Sequence, residues 1–159
     1  MNLRDDNYWL GIALREAKKA ADRGEVPIGA IVVKDNMVLG RGFNFREARQ
    51  DPVAHAEIIA IRKAARKEAS WRLTNATLYV TLEPCLMCMG AMLLARIERV
   101  AFGCHDPKGG AAGSLYDVSD DSRLNHRIKV TSGIRETECS AILSDFFDSL
   151  RKLKKREKG

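Results

Sequence analysis

No apolar run in the chain approaches the ~18–20 residues that a membrane-spanning helix requires, and the first residues, with Arg4, Asp5 and Asp6 in succession, lack the apolar stretch of a secretory signal. A cytoplasmic protein with no membrane partner is expected. Four cysteines in 159 residues are too few for a disulfide scaffold. In a reducing compartment such thiols read as metal ligands, nucleophiles or small core residues, and their spacing decides which. Only 4 prolines and 12 glycines exclude collagen-like or low-complexity chains, and 45% apolar against 30% charged residues is an ordinary globular balance. There is no internal repeat or linker, so one domain with a substantial core is expected at this length.

Positive charge is in excess, and it is unevenly placed. The net charge is +6, yet Arg151, Lys152, Lys154, Lys155, Arg156 and Lys158 face only Glu157, so residues 151–159 carry +5 and residues 1–150 only +1. A near-neutral body with a basic end suits a protein that meets a polyanion at one edge. A solvated, partly frayed helix end is the plainer reading of the same charges.

Tyr8, Trp9, Ile12, Ala13, Ala17, Ala20 and Ala21 recur at helical spacing, broken only by Glu16, which predicts an amphipathic helix over 8–21 ended by Gly24. Two β-rich runs, 28–33 and 37–43, flank the polar pair Asp35-Asn36 and predict a hairpin. Residues 46–51 read as a polar stretch, 54–67 as a helix, 76–82 as a buried strand, 84–95 as a helix begun by Pro84, and 100–103 as a strand. Strand, helix and strand at this spacing make a βαβ unit with parallel pairing. Residues 106–114, with three glycines, read as a loop, 128–131 as a weak strand and 134–153 as a closing helix. About five strands and three major helices then give an α/β fold whose mixed sheet is covered on both faces.

Chemistry concentrates at His55-Ala56-Glu57 and at Pro84-Cys85-Leu86-Met87-Cys88, each at a predicted helix start. C-x-x-C there sets two sulfurs about one turn apart, and the helix dipole favours both as thiolates. With one imidazole from the other helix, His55, Cys85 and Cys88 are three ligands for Zn²⁺, and a fourth position remains for a water of lowered pKa. Glu57, two residues after His55, is the candidate carrier of that water's proton. A rival assignment is a closed structural zinc site from Cys85, Cys88, Cys104 and either His105 or Cys139. Against it, Cys104 ends an apolar strand and Cys139 shares a helix face with Ile142 and Leu143.

The pairing of H-A-E with P-C-L-M-C is the zinc-deaminase pattern, and over nearly its whole length the chain resembles the bacterial tRNA adenosine deaminases of the TadA family, within the cytidine-deaminase-like superfamily. The stretches Glu25 to Ala30, Ser70 to Leu73, Thr81 to Pro84, Gly110 to Leu115, Asn125 to Arg127 and Ser144 to Phe147 carry the resemblance further. It implies a three-layer α/β/α sandwich with a mixed five-stranded sheet, a single zinc deaminase domain over residues 1–150, and residues 151–159 as the basic end of the last helix. The implied reaction is hydrolysis of adenosine to inosine at the wobble position of a tRNA anticodon, by a homodimer with one zinc per subunit. Glu57 would move a proton to N1 of adenine and then to the departing amino group.

The resemblance also implies that Asn44 hydrogen-bonds the edge of the target base, that Asp106 and Lys108 lie on a loop meeting the anticodon stem-loop, and that Phe146 and Arg151 approach the RNA from the last helix. Asp148 stands where many relatives look basic, a departure from the pattern. The apolar Met87, Met89, Met92 and Leu93 are the expected dimer face. Two other functions remain open from residues alone: a deaminase of a free base or nucleoside, and a zinc-stabilised binding module without turnover, which would leave Glu57 unexplained.

Overall fold

Asp35 and Asn36 both adopt left-handed backbone angles, φ 51° and 59°, the geometry of a two-residue hairpin turn that follows the natural twist of its strands. In the computed structural model, which describes residues 3–159, this turn joins β1 (Gly29–Lys34) to β2 (Met37–Phe43), with Lys34 opposite Met37. The sheet continues through β3 (Thr77–Leu82), β4 (Arg99–Cys104) and β5 (Lys129–Thr131), in the order β2-β1-β3-β4-β5. β1 is antiparallel to β2 and β3, whereas β3, β4 and β5 are parallel. The mixed five-stranded sheet is therefore as expected.

Alternate residues feed two cores. Ala30, Val32, Leu78, Val80, Val100 and Phe102 pack with α3 (Ala56–Glu68) and α4 (Leu86–Ala95). Ile31, Val33, Tyr79 and Ala101 pack with α1 (Asp6–Asp22) and α5 (Glu136–Lys158). Near-continuous burial on both faces is what central strands of a three-layer sandwich require. All four helical segments read from the sequence are present, one more than the count of three major helices, and a one-turn helix, α2 (Arg46–Arg49), occupies the stretch read only as polar. α4 starts at Leu86 rather than Pro84, and α5 runs to Lys158 instead of stopping near Leu153. No helix of the described residues is long and apolar enough to cross a membrane.

Glu16, which interrupts the apolar stripe of α1, is buried and held by Lys19 at 2.8 Å, with Arg41 at 4.0 Å. At the start of α1, the Arg99 guanidinium donates to both oxygens of Asp6 (2.8 and 3.1 Å) and to Thr131 Oγ1 (3.2 Å), while the Tyr79 hydroxyl donates to Asp6 at 2.7 Å. The helix start is thereby tied to three strands. The Arg99 hydrogen bonds hold the Asp6 carboxyl below the usual carboxylate range. Asp6→Asn is expected to cost about 1–2 kcal/mol at pH 7, at the low end for charged hydrogen bonds because the group is partly solvated. The advantage of Asp6 is fully present above its unfolded pKa of about 3.9 and is lost as pH falls through the lower folded value. Urea midpoints of the two proteins should therefore lie apart at pH 7 and approach each other as pH falls below the usual carboxylate range.

Candidate active site

α3 can lie directly on β2 at Gly40 and Gly42, where the strand has no side chain beneath the helix. A Cβ at Gly40 would stand 2.3 Å from the Ala60 carbonyl oxygen, and one at Gly42 2.3 Å from that of Ala56. The helix answers with Ala56, Ala60 and Ala64, all fully buried. His55 is the N-cap of this helix and Cys85 the N-cap of α4, both in extended backbone geometry. The two helix starts converge: His55 Nδ1 lies 3.7 Å from Cys85 Sγ and 3.5 Å from Cys88 Sγ. Among the described residues this is the one group of three or more potential metal donors, all within 4.8 Å of one another.

The donor triangle fits zinc. Zn–S bonds of about 2.3 Å and Zn–N bonds of about 2.0 Å at tetrahedral angles give N···S edges of about 3.6 Å, and 3.5 and 3.7 Å are observed. One imidazole and two thiols match zinc's preference for nitrogen and sulfur, and three protein ligands are the number found in catalytic sites.

Without a metal, the two sulfurs hold their protons unequally. The Cys85 thiol is pulled down to about 4, first by the hydrogen bond from Cys88 and then by that from His55. Cys88 is pushed up by donating to Cys85 and by burial. One proton is thus shared unequally between the two thiols, and metal binding must displace it. His55 is raised, mainly by its hydrogen bond with Cys85. Glu57 is 4% exposed, and burial raises its proton affinity above that of an ordinary carboxylate.

Val26, Ile28, Asn44, Arg46, His55, Ala56 and Glu57 line one small cavity. Asn44 is buried there. Its Nδ2 donates to the Val26 carbonyl at 3.4 Å and its Oδ1 accepts from the Arg46 amide at 3.3 Å, so one N–H and one lone pair remain for a ligand. The other RNA-facing candidates are not in this cavity. Asp106 and Lys108 lie on the loop after β4, where Asp106 Oδ1 accepts from the Lys108 and Gly109 amides at 3.0 and 3.2 Å. Phe146 is half-buried in a groove with Ala21, Gly24, Leu150 and Leu153, and Arg151 is exposed and paired with Asp148.

The structural-zinc rival fails on packing. Cys104 and Cys139 lie in the core against α1 and α5, and Cys104 Sγ donates to the Thr81 carbonyl at 3.6 Å. Of the four residues expected at a dimer face, Met89 and Met92 are fully buried within the chain's own core, because they point from α4 toward the sheet. His126 serves the fold: its Nε2 lies 2.7 Å from the Ile97 carbonyl oxygen.

Sequence reasoning missed Arg46 as a cavity residue, and missed the device that places it. The buried carboxylate of Glu25 accepts from the Glu47 and Ala48 amides at 2.8 and 2.9 Å, capping α2 from a distant part of the chain. No local pattern announces such a cap.

Comparison with known proteins agrees with this geometry. The profile of the MafB19-like deaminases matches residues 4–151. A tRNA-specific adenosine deaminase of Bacillus subtilis is 48% identical over 153 residues, 96% of this chain and 95% of its own length. A solved structure from work on A-to-I editing by tRNA:A34 deaminases at the wobble position superposes with a TM-score of 0.80 at 43% identity, covering 86% of this chain and 99% of the other. The guanine deaminase of Bacillus subtilis superposes with a TM-score of 0.63 at 34% identity, over 70% of this chain and 71% of its own. A near-complete match to the deaminase profile, with a relative about half identical from end to end, makes this chain a member of the MafB19-like deaminase family, on the branch of the tRNA-specific adenosine deaminases.

Proposed function

We propose that this protein hydrolyses adenosine to inosine at the wobble position of a tRNA anticodon, with one zinc ion per chain. The observation that carries the reading is the His55–Cys85–Cys88 triangle, with the buried carboxyl of Glu57 and the half-satisfied amide of Asn44 in the cavity beside it. His55, Cys85 and Cys88 would hold the zinc, which when bound would supply an acidified water as the nucleophile for C6 of the base. Glu57 takes a proton from the reacting water and gives it to N1, then takes the second proton from the hydroxyl now on C6 and delivers it to the leaving amino group. Ammonia departs and C6 becomes a carbonyl carbon. The spare donor and acceptor of Asn44 fix the purine edge, and Val26 and Ile28 supply the apolar wall that an unstacked base requires.

Outside the cavity, Asp106 and Lys108 contact the anticodon loop, with Phe146 and Arg151 beyond them on α5. The +5 end of α5 supplies long-range attraction to phosphates. Residues 151–159 are all exposed, so deletion of Lys152 to Gly159 is expected to leave the fold and the single-turnover rate at saturating tRNA unchanged. It should weaken tRNA binding and flatten its salt dependence, since each phosphate neutralised contributes about 0.7–0.9 to the slope. Equal affinities and slopes for both proteins would shift the contact onto Lys108 and Arg151.

A second copy of the chain fits the outer face of α4. Leu86 and Leu94 are 46% and 72% exposed, and Gly90 between them leaves open space where a side chain would stand. This i, i+4, i+8 stripe replaces the buried methionines as the self-association face. Sedimentation should give twice the chain mass at micromolar concentration, and Leu94→Glu should give the single mass.

The reaction is tested by measuring inosine and ammonia from a tRNA panel, an anticodon stem-loop, free adenosine and free guanine. Turnover is expected on tRNA and the stem-loop. Turnover on guanine alone would favour the free-base reading that the guanine deaminase likeness suggests.

A further inference from the structure

Glu83 is a buried carboxylate that the chemistry above leaves unused. It is 2% exposed and lies two residues before Cys85. Its Oε1 accepts from the Asp106 amide at 3.0 Å and from the Ser114 hydroxyl, and lies 3.3 Å from His105 Nδ1. Its Oε2 accepts from the Ala112 and Ser114 amides, both at 3.0 Å. A carboxylate has about four lone-pair sites, so the four N–H and O–H donors fill it, with His105 Nδ1 alongside, and leave nothing for metal or proton traffic. The backbone on either side grips the same loop: the Glu83 amide donates to the Cys104 carbonyl at 2.9 Å, and the Ala111 amide to the Pro84 carbonyl at 2.8 Å. The loop is also shaped around the carboxylate, because a Cβ at Gly110 would lie 2.3 Å from Glu83 Cδ.

We propose that Glu83 is a positioning residue for tRNA recognition: its carboxylate holds the loop from His105 to Ser114, with Asp106 and Lys108, in fixed register with the metal-ligating turn at Cys85. The inference rests on the reading that this loop meets the anticodon. The hydrogen bonds converge from residues 22 to 31 positions away in sequence, so they fix a long-range relation that no local turn can. A loop so held meets RNA without first being ordered, which removes an entropy cost from binding and leaves the proton transfers at Glu57 untouched.

Glu83→Gln keeps the volume but turns one acceptor oxygen into an NH₂ group facing donors. Gly110→Ala attacks the clamp from the loop side, at a backbone conformation outside the left-handed region, where the three atoms nearest the added methyl group all belong to the Glu83 carboxylate. Both full-length, zinc-loaded variants are compared with the unmodified protein by zinc content, by amide hydrogen exchange, and by tRNA Kd with steady-state kinetics. One zinc per chain is expected to remain. Exchange at the amides of Asp106, Ala112 and Ser114 should accelerate about tenfold or more, as for buried donors left unpaired. The tRNA Kd and KM should rise by about the same factor, with kcat within about threefold.

Unchanged exchange and unchanged Kd in both variants would overturn the proposal. So would loss of zinc or of kcat at an unchanged KM, which would make Glu83 a support of the metal turn alone. Should Glu83→Gln fail to fold, Gly110→Ala and Ser114→Ala carry the same comparison. If the unmodified protein fails to act on tRNA, the functional reading falls, while the exchange data still decide whether the clamp exists.

Discussion

Glu57→Gln is expected to bind one zinc per chain, keep its melting temperature within a few degrees, and lose about 10²–10⁴-fold in single-turnover deamination. The substitution would remove the proposed proton carrier without removing a ligand, since the group that could hold the metal is His55, Cys85 and Cys88. A small gain in stability would also be consistent, because the ionised carboxyl of Glu57 is disfavoured by burial. The measurements are metal content by atomic emission and inosine formation under enzyme excess. Activity within about threefold of the unmodified protein would remove Glu57 from the proton path, because general acid–base assistance is worth far more.

Cys85→Ala should do the opposite and abolish both zinc and turnover. Cys85 is the sulfur pulled down to about 4, so its loss removes the donor most readily available as a thiolate and leaves only His55 and Cys88 of the three. Cys104→Ala is the matched control. Its sulfur fills core space against α1 and α5 and donates to Thr81, so it should cost about 1 kcal/mol of stability with no change in metal content. A full equivalent of zinc in Cys85→Ala together with its loss in Cys104→Ala would reinstate the closed structural site.

The parts of the molecule visible in sequence are those whose cause is local. The Asp35-Asn36 turn, the alternating strands and the apolar face of α1 follow from neighbours within a few residues, and the C-x-x-C and H-x-E pairs follow from one helical turn. The concealed parts depend on contacts across the chain. α2 is capped by Glu25 from more than 20 residues away, so its four residues show only polarity. Met89 and Met92 look like an interface because composition gives their apolarity and not their direction; α4 turns them inward and exposes Leu86 and Leu94 instead. Glu83 resembles any acidic residue beside a proline until the loop from 105 to 114 folds back over it.

The glycines of β2 carry a consequence for how this protein tolerates change. At Gly40 and Gly42 hydrogen atoms alone lie between the strand backbone and the backbone of the helix that begins after His55, so no strand side-chain rotamer intervenes at these two points. Thermal rearrangement of the surrounding core therefore has little means of altering the distance from strand to imidazole, and volume changes elsewhere are absorbed before they reach it. The same seat lacks compliance. One methyl group at either position has nowhere to go, so the helix must lift, carrying His55 and the carboxyl of Glu57 away from the cysteines together. Sequence variation aimed at a new substrate then has its freedom in the loops that rim the cavity and very little in the strand beneath it.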